Sequence, residues 1–379
     1  MGVTLTNKAT GVTKVLGSSN KYPEGFSVAY EVTDGTRVAL VSAPMVDALA
    51  VWGVVPASVY AQMGNAKVSG QQKLLSLFEN LTKDPEIGAK YTPGGDYGFA
   101  KGGAKKGEKR LLIPLGPRPA WALVSLRPHE KDPTSLILRV EWNPRKSGRV
   151  GVEALIDLLV GSIFSSSLEF GEWLSSAQVT KLEIAVDVLN VERCDLRAKI
   201  ASERKVQAFR NPTGGIETTY HRAAGALFPV KLYDKRQYYL DTGGKFGKKP
   251  KFGDTPHCRV ERSWRFGGTS ARPLVGLQNE PNRLTGFHVR WLRDEPGGSS
   301  NPQQRLAAAA LDYLGRERAV TSLSELKAAL KLVEEPDPDF WRPDQLWSLW
   351  PAALEHCGLD QLTSPHAVYG VSADSKKVS

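Results

Sequence analysis

The segment 179–190, VTKLEIAVDVLN, constrains the fold more than any other part of the chain. Leu, Ile and Val residues occupy every second position over its central part, and Lys181, Glu183 and Asp187 fall between them. Successive side chains of a β-strand point to opposite faces of a sheet. The segment therefore predicts a strand that buries one face and presents acidic residues on the other.

Neighbouring segments predict more strands and an amphipathic helix. Residues 150–164 have apolar side chains at the i, i+3, i+4, i+7 spacing of a helix packed on a sheet. Residues 195–204 also predict a helix. Short apolar runs bounded by turn residues predict strands at 111–114, 120–126, 136–142, 216–221, 230–235 and 258–265. We expect an α+β fold, with helices on one face of a mostly antiparallel sheet and the other face open to a ligand, plus a helical C-terminal tail.

Composition along the chain predicts four regions. Residues 1–107 carry no recognisable motif, and whether they bind a ligand or brace the rest stays open. Residues 108–293 contain the strands and helices of the expected sheet domain. The glycine- and serine-rich linker 294–303 separates it from a helical region at 304–365, and the polar residues 366–379 predict a flexible tail.

The charge balance favours a polyanionic partner. Lys and Arg number 50 against 40 Asp and Glu, a net charge of +10. No run approaches the roughly 20 apolar residues of a membrane span, and the N-terminus lacks the apolar core of a secretory signal. The three cysteines form no Cys-x-x-Cys pair. We expect a cytoplasmic protein with no membrane role.

Missing motifs narrow the chemistry further. The loop GGKFGKKP at 243–250 lacks the spacing and the Ser or Thr of a phosphate-binding loop, so the sequence does not support ATPase activity. None of the six histidines forms a His-x-His pair, and the His-x-x-Arg of tyrosine recombinases does not occur.

The acids of the central strand suggest a site for a hard cation. Carboxylate oxygens suit Mg²⁺ or Mn²⁺. Glu183 and Asp187 lie four residues apart, or roughly 13 Å along a strand, so another strand must supply a partner ligand. Glu261 is the expected partner of Asp187, with Glu183 or Glu141 completing the shell. Pairing of these acids with arginines of neighbouring strands, such as Arg259, is the alternative and stays open.

Several short motifs occur together in one order along the chain. They are RVEWNP at 139–144, KLEIAVD at 181–187, Thr219-Tyr220, LYDK at 232–235 and RVER at 259–262. Together they resemble the replication initiation factor family of rolling-circle plasmids, conjugative elements and filamentous phages. The resemblance covers about residues 136–266, roughly a third of the chain.

The resemblance implies that residues 108–293 form a DNA-nicking domain acting in a bacterial host. In such enzymes a tyrosine attacks one DNA strand at an origin, with the help of Mg²⁺ or Mn²⁺. The products are a 5′-phosphotyrosine link and a 3′-hydroxyl that primes synthesis. Implied partners are origin DNA, single-stranded or in a hairpin, a host helicase and the replication machinery. The resemblance also leaves DNA binding as a role for residues 1–107.

Carried over to this sequence, the motifs name candidate catalytic and metal-binding residues. Tyr220 is the first candidate nucleophile. It is followed by HRA where the family commonly has Gly-Ser, so Tyr233 and the pair Tyr238-Tyr239 stay as alternatives. Lys235 shares a strand face with Tyr233 and is expected to contact phosphate. The expected metal ligands are Asp187, Glu261 and Glu183, and His221 and His257 are candidates for proton transfer.

Basic residues beside aromatic ones predict contacts with a nucleic acid, although any one such loop fits a solvated surface equally well. The expected DNA-binding residues are Lys105, Lys106, Lys109, Arg110, Lys245, Lys248, Lys249 and Arg259. Two other functions stay open: a catalytically silent, sequence-specific DNA-binding initiator or repressor, and a basic RNA-binding or virion-associated protein.

Overall fold

The fold is taken from a computed structural model. It describes residues 3–6, 13–16, 27–34, 37–61, 63–65, 68–85, 87–91, 108–115, 120–132, 134–201, 203–210, 216–223, 229–246, 250, 252–267, 271–293, 301–314, 316–323, 325 and 327–363. The expected flexible tail, 366–379, lies outside these ranges.

Antiparallel strands make up much of the described chain. In order they are β1 (Val3–Thr6), β2 (Thr13–Leu16), β3 (Val28–Asp34), β4 (Arg37–Ser42), β5 (Met45–Val55), β6 (Lys90–Tyr91), β7 (Lys109–Pro114), β8 (Trp121–Pro128), β9 (Leu136–Trp142), β10 (Gln178–Leu189), β11 (Leu196–Ile200), β12 (Glu203–Arg210), β13 (Ile216–Ala223), β14 (Val230–Asp234), β15 (His257–Arg265), β16 (Arg272–Pro273) and β17 (Phe287–Trp291).

Helices lie between these strands and after the last of them. They are α1 (Ser58–Ala61), α2 (Gly70–Asn80), α3 (Pro144–Ser162), α4 (Ser167–Ser176), α5 (Lys235–Phe246), α6 (Asn301–Leu314), α7 (Arg316–Ser322), α8 (Lys327–Glu334), α9 (Pro343–Trp347), α10 (Trp350–His356) and α11 (Asp360–Thr363). The chain is thus a mixed α+β protein with extensive antiparallel sheet, and this part of the predicted fold class is confirmed.

The chain divides into two compact units that do not follow the expected boundaries. Unit 1 comprises Met1–Met45, Ile184–Ser263 and Pro281–Ala352; unit 2 comprises Val46–Glu183, Trp264–Glu280 and Ala353–Ser379. Residue 107 is not a boundary, because β5 from the first hundred residues pairs with β9 in unit 2. The helices expected as one region at 304–365 are likewise shared between the two units.

Unit 2 contains the strands predicted at 111–114, 120–126 and 136–142, which are β7, β8 and β9. Its strands follow the order β10, β5, β9, β8, β7, β6, with the first half of β10 at one end. Helices α3 and α4 bury apolar side chains, among them Val152, Leu155 and Trp173. Trp173 stacks on Phe170 with ring centroids 5.8 Å apart. The helix predicted at 150–164 is therefore confirmed as part of α3.

Unit 1 contains the sheet on which the candidate site lies. Its strands follow the order β12, β13, β14, β15, with the second half of β10 next to β15. The two-stranded ribbon of β11 and β17 packs on β13 and β14, and α6 packs on β12 and α8. Ribbon and helix cover the face that carries Thr219 and His221, both fully buried.

One prediction of local structure is wrong. Residues 195–204 contain β11 and the start of β12 rather than a helix, because Leu196, Ala198 and Ile200 are buried on β11, which pairs with β17. Here tertiary pairing outweighs a weak helical pattern.

Across the part of the chain that the structure describes, no single helix is both long and apolar enough to cross a membrane. The consecutive helices α3 and α4 pass that test only when taken together, and they are bent by 112°.

The backbones of α1 and α2 lie very close together at Tyr60 and Gly70, which gives a first prediction. A Cβ at Gly70 would lie 1.7 Å from the carbonyl oxygen of Tyr60, so an alanine forces α1 and α2 apart. We expect Gly70→Ala to lower the free energy of unfolding by about 1–3 kcal/mol or more, measured by urea denaturation. Gly161→Ala is the matched control, since nothing lies within 4 Å of its Cβ. Equal midpoints for the two variants would contradict the close approach.

Candidate functional site

Strand register in unit 1 places polar side chains in two cross-strand rows on the face that ribbon and helix leave uncovered. We call this the tyrosine face. Directly opposite residues of neighbouring antiparallel strands share a face and lie within contact distance. The first row, from β12 to β15, is Phe209, Thr218, Tyr233 and Arg259. The second row is Gln207, Tyr220, Lys231 and Glu261.

Burial increases along both rows from the edge strand inwards. Phe209 on β12 is 47% exposed, whereas Tyr233 on β14 is 8% exposed and Arg259 on β15 is fully buried. Tyr220 and Lys231 are half-buried. The tyrosine face therefore has an accessible end at β12 and a buried, charged end at β15.

A buried ion pair forms the inner end. Arg259 donates from Nε to Oδ1 of Asp187 at 2.5 Å and from Nη2 to Oδ2 at 2.9 Å. Nε2 of His257 lies 3.3 Å from Oδ2. Burial alone would raise the pKa of Asp187, but the charge of Arg259 and the hydrogen bonds from His257 and Arg259 together outweigh burial and hold this pKa well below its usual value. Asp187 is therefore ionised and holds the Arg259 guanidinium in place.

Glu261 connects this pair to the tyrosines. Its Oε1 accepts a hydrogen bond from the Tyr233 hydroxyl at 2.5 Å and lies 3.7 Å from Nη1 of Arg259. Its Oε2 accepts from Nζ of Lys231 at 3.2 Å. Lys235 donates to the Tyr233 oxygen at 2.9 Å. The Tyr233 hydroxyl is thus held between a carboxylate and an ammonium group.

The local sequence explains why Lys235 turns back over Tyr233. The carboxylate of Asp234 accepts a hydrogen bond from the backbone N–H of Gln237 at 2.8 Å, so the chain passes directly from β14 into α5. Nζ of Lys235 then lies 5.1 Å from the ring centroids of Tyr233 and Tyr238 and 5.4 Å from that of Tyr239. Three aromatic rings surround this buried cation.

Tyr220 lies nearer the accessible end. Its ring contacts that of Phe209 edge to face, with centroids 5.4 Å apart and planes at 73°. It faces Lys231 of β14 in register, and Glu261 lies beyond Lys231 on β15, two strands away from Tyr220. The structure therefore brings the three expected catalytic residues, Tyr220, Tyr233 and Lys235, to one face together with Glu261.

The opposite face holds His221 in a buried network. Its Nδ1 lies 2.8 Å from Nη1 of Arg197 and 2.7 Å from Glu203, and its Nε2 lies 2.9 Å from the Thr219 hydroxyl. Arg197 also pairs with Asp312 of α6 at 2.9 Å. His221 is fully buried and points away from Tyr220, so it does not fit the expected role in proton transfer.

The expected metal ligands have different surroundings. Both oxygens of Asp187 are bonded to the buried Arg259 guanidinium, so Asp187 does not fit a metal ligand in this arrangement. Glu261 lies on the tyrosine face, where Oε1 accepts from Tyr233 and Oε2 from Lys231. Glu183 is half-buried on the half of β10 that belongs to unit 2. Glu141, also in unit 2, is buried and pairs with Lys181 and Arg139. The ligand roles of Glu261 and Glu183 stay predictions.

The expected DNA-binding residues have different environments. Arg259 and Arg110 are buried in ion pairs with Asp187 and Glu108, so neither is the surface contact that was expected. Lys109 is partly exposed and pairs with Glu79 at 2.9 Å. The positions outside the described residues or side chains are Lys105, Lys106, Lys245, Lys248 and Lys249.

Lys231 and Phe209 lie beside Tyr220 and are among the residues of the rows that were not predicted. Lys231 directly precedes the LYDK motif, and Phe209 lies in none of the motifs. The alternation of residues 216–221 and 230–235 predicts which residues share a face, but only strand register shows that Lys231 lies opposite Tyr220.

Comparison with protein-family models and with curated proteins found no match to this chain.

The buried ion pair gives a stability prediction. Asp187→Asn removes the carboxylate that accepts two hydrogen bonds from the buried Arg259 guanidinium, and we expect a loss of about 3–5 kcal/mol in the free energy of unfolding. Glu130→Gln is the control, since Glu130 pairs with Arg127 at the surface at 3.4 Å and its loss changes little. Urea denaturation of both variants gives the comparison. A loss in Asp187→Asn as small as in the control would contradict the pairing.

The buried histidine gives a pH prediction. Burial, and then the charge of Arg197, lower the pKa of His221 below its usual 6.5. The unfolded chain then binds more protons below about pH 6.5, so the folded state loses stability as the pH falls from about 7 to 5.5. Removing this group in His221→Gln reduces the slope of stability against pH by up to about 1.4 kcal/mol per pH unit. Denaturation at several pH values gives the slope of the free energy of unfolding against pH, and identical slopes for wild type and His221→Gln would refute this prediction.

Proposed function

We propose that the protein initiates rolling-circle replication by nicking one DNA strand at an origin through a tyrosine of the tyrosine face. The observation that carries the proposal is the row of Tyr220, Lys231 and Glu261 beside the hydrogen-bonded Tyr233 and Lys235. A phenol hydroxyl has a pKa near 10 and is a weak nucleophile unless charged groups assist it. This face offers both a carboxylate and ammonium groups.

In the proposed reaction the Tyr220 oxygen bonds to the scissile phosphorus as the bond from phosphorus to the 3′-oxygen breaks. The leaving oxygen takes up a proton and becomes the 3′-hydroxyl primer. The phenolic proton passes to solvent, or through water to Glu261. The phosphodiester energy is kept in the 5′-phosphotyrosine link, so religation requires no ATP.

Accessibility favours Tyr220 over Tyr233 as the nucleophile. A nucleophile must reach a phosphate of a nucleic acid strand, and Tyr233 is 8% exposed, with its hydroxyl bonded to Glu261 and Lys235. Tyr220 is half-buried and lies next to the edge strand. In this proposal Tyr233 is a positioning residue that orients Glu261.

Positive charge on and around the tyrosine face supports a polyanionic substrate. Lys231 lies opposite Tyr220, Arg222 is exposed on the same face, and the whole chain carries a net charge of +10. Ammonium and guanidinium groups neutralise the phosphate charge as the bonds change. The proposed substrate is origin DNA that is single-stranded or extruded as a hairpin.

The proposed reaction requires Mg²⁺ or Mn²⁺. Glu261 is the carboxylate of the tyrosine face proposed to hold the ion, whose chemistry would be to polarise the phosphate. A host helicase is the proposed partner for strand separation, since the sequence carries no phosphate-binding loop.

Covalent capture tests the proposal. Wild-type protein, Tyr220→Phe and Tyr233→Phe are incubated with supercoiled and single-stranded DNA of the cognate replicon, with Mn²⁺ or with EDTA. Protein-linked DNA is scored on a denaturing gel, and the linked peptide is identified by mass spectrometry. Tyr313→Phe, which alters a tyrosine 67% exposed on α6, is the matched control.

We expect a metal-dependent adduct in wild type and in Tyr313→Phe and none in Tyr220→Phe. Tyr233→Phe slows the reaction about tenfold, the equivalent of one lost hydrogen bond of about 1–1.5 kcal/mol. An adduct that maps to Tyr233 would keep the nicking function and overturn the choice of nucleophile. Binding of cognate DNA with no nick or adduct under any condition would overturn the function in favour of a silent DNA-binding initiator.

A further inference from the structure

Phe209 has a large apolar side chain that is not buried in the core. It is 47% exposed on β12, the strand at the outer end of the unit 1 sheet order. A single exposed apolar residue needs no explanation by itself. This one, however, lies on the tyrosine face and contacts the ring of Tyr220, the proposed nucleophile.

Strand register fixes how Phe209 lies relative to the rest of the face. Phe209 is opposite Thr218, and Gln207 is opposite Tyr220. A register shift follows between Phe209 and Arg210, at the end of the strand. Such irregularities change the direction of side chains and are frequent next to active sites. Phe209 thus borders the accessible end of both rows.

We propose that Phe209 is a stacking platform for a base of single-stranded DNA next to the scissile phosphate. This inference rests on the proposed function and adds the subsite that orients the substrate. A base lying on the exposed side of the Phe209 ring brings its own phosphate towards Tyr220 and Lys231. Stacking on an aromatic ring is tolerant of sequence, because every base has a π-face.

The surroundings of Phe209 favour a nucleic acid over an apolar protein segment. Arg222 is exposed on the same face, and Lys231 is half-buried on the inner side of Tyr220. Cationic groups interleaved with aromatic rings are the combination that binds a single strand, through phosphate contacts and stacked bases.

Binding is measured apart from cleavage, so that this inference and the proposed function fail separately. Full-length protein carrying Tyr220→Phe is titrated into a fluorescein-labelled oligothymidine of about a dozen nucleotides, within the site sizes of single-strand binding proteins. Fluorescence anisotropy gives the Kd. A second oligonucleotide carries 2-aminopurine, whose fluorescence is quenched when its base stacks on an aromatic ring.

In this background Phe209→Ala is expected to weaken binding about five- to a hundredfold and to remove the quenching, since stacking contributes about 1–3 kcal/mol per base. Phe209→Trp retains both signals, whereas Phe209→Leu keeps apolar bulk but loses the quenching. Leu306→Ala, which truncates a residue 54% exposed on α6, leaves both unchanged. Lys231→Ala reduces the salt dependence of Kd, whereas Phe209→Ala does not.

Two results would overturn the inference. One is that Phe209→Ala leaves the affinity and the quenching of the Tyr220→Phe protein unchanged. The other is that Phe209→Ala loses affinity and Phe209→Leu recovers it fully, which shows that Phe209 packs against the ring at position 220 rather than stacking on a base. If a base stacks on Phe209 but the wild-type protein forms no covalent adduct with DNA, the result counts against the nicking function and still supports this stacking site.

Discussion

The buried pairing of Asp187 with Arg259 is the interaction on which the tyrosine face depends. A guanidinium with no exposed surface must have its charge and its donors satisfied inside the protein, and two hydrogen bonds to one carboxylate do so with fixed geometry. The pair joins β10 to β15 and sets the direction of Arg259. Glu261 lies next along β15 on the same face, within reach of that guanidinium, and its other contacts orient the hydroxyl of Tyr233.

The two faces of the unit 1 sheet differ in how far they are buried. Ribbon and helix bury one of them, where Arg197, Glu203 and His221 satisfy one another beneath α6. On the tyrosine face, the side chains are buried and charged at β15 and become more exposed towards β12. The proposed nicking reaction would use both ends of the tyrosine face, because charged groups act more strongly where water is excluded, whereas the substrate must still reach the nucleophile.

Much of this arrangement was predictable from local pattern. Period-two alternation identified the strand that carries Asp187, and short apolar runs between turn residues identified the strands that carry Tyr220, Tyr233 and Glu261. The two-residue spacing of Tyr233 and Lys235 correctly placed their side chains together. The helix predicted at 195–204 was wrong, since residues 196–200 pair with β17. The expectation that Arg110 and Arg259 are surface contacts also failed, because the sequence around a basic residue does not show whether it meets solvent or a buried carboxylate.

The amino-acid sequence was enough to predict the α+β class, the positions of β7 to β10 and of β13 to β15, the strand faces on which acids and tyrosines lie, and the net positive charge. These follow from side-chain periodicity and composition, which are local properties. The fold was needed to establish which residues face each other across strands, which charges are buried, and how far Tyr220 and Phe209 are exposed. Those features depend on strand order and register, where contacts between residues distant in sequence fix each side chain's surroundings.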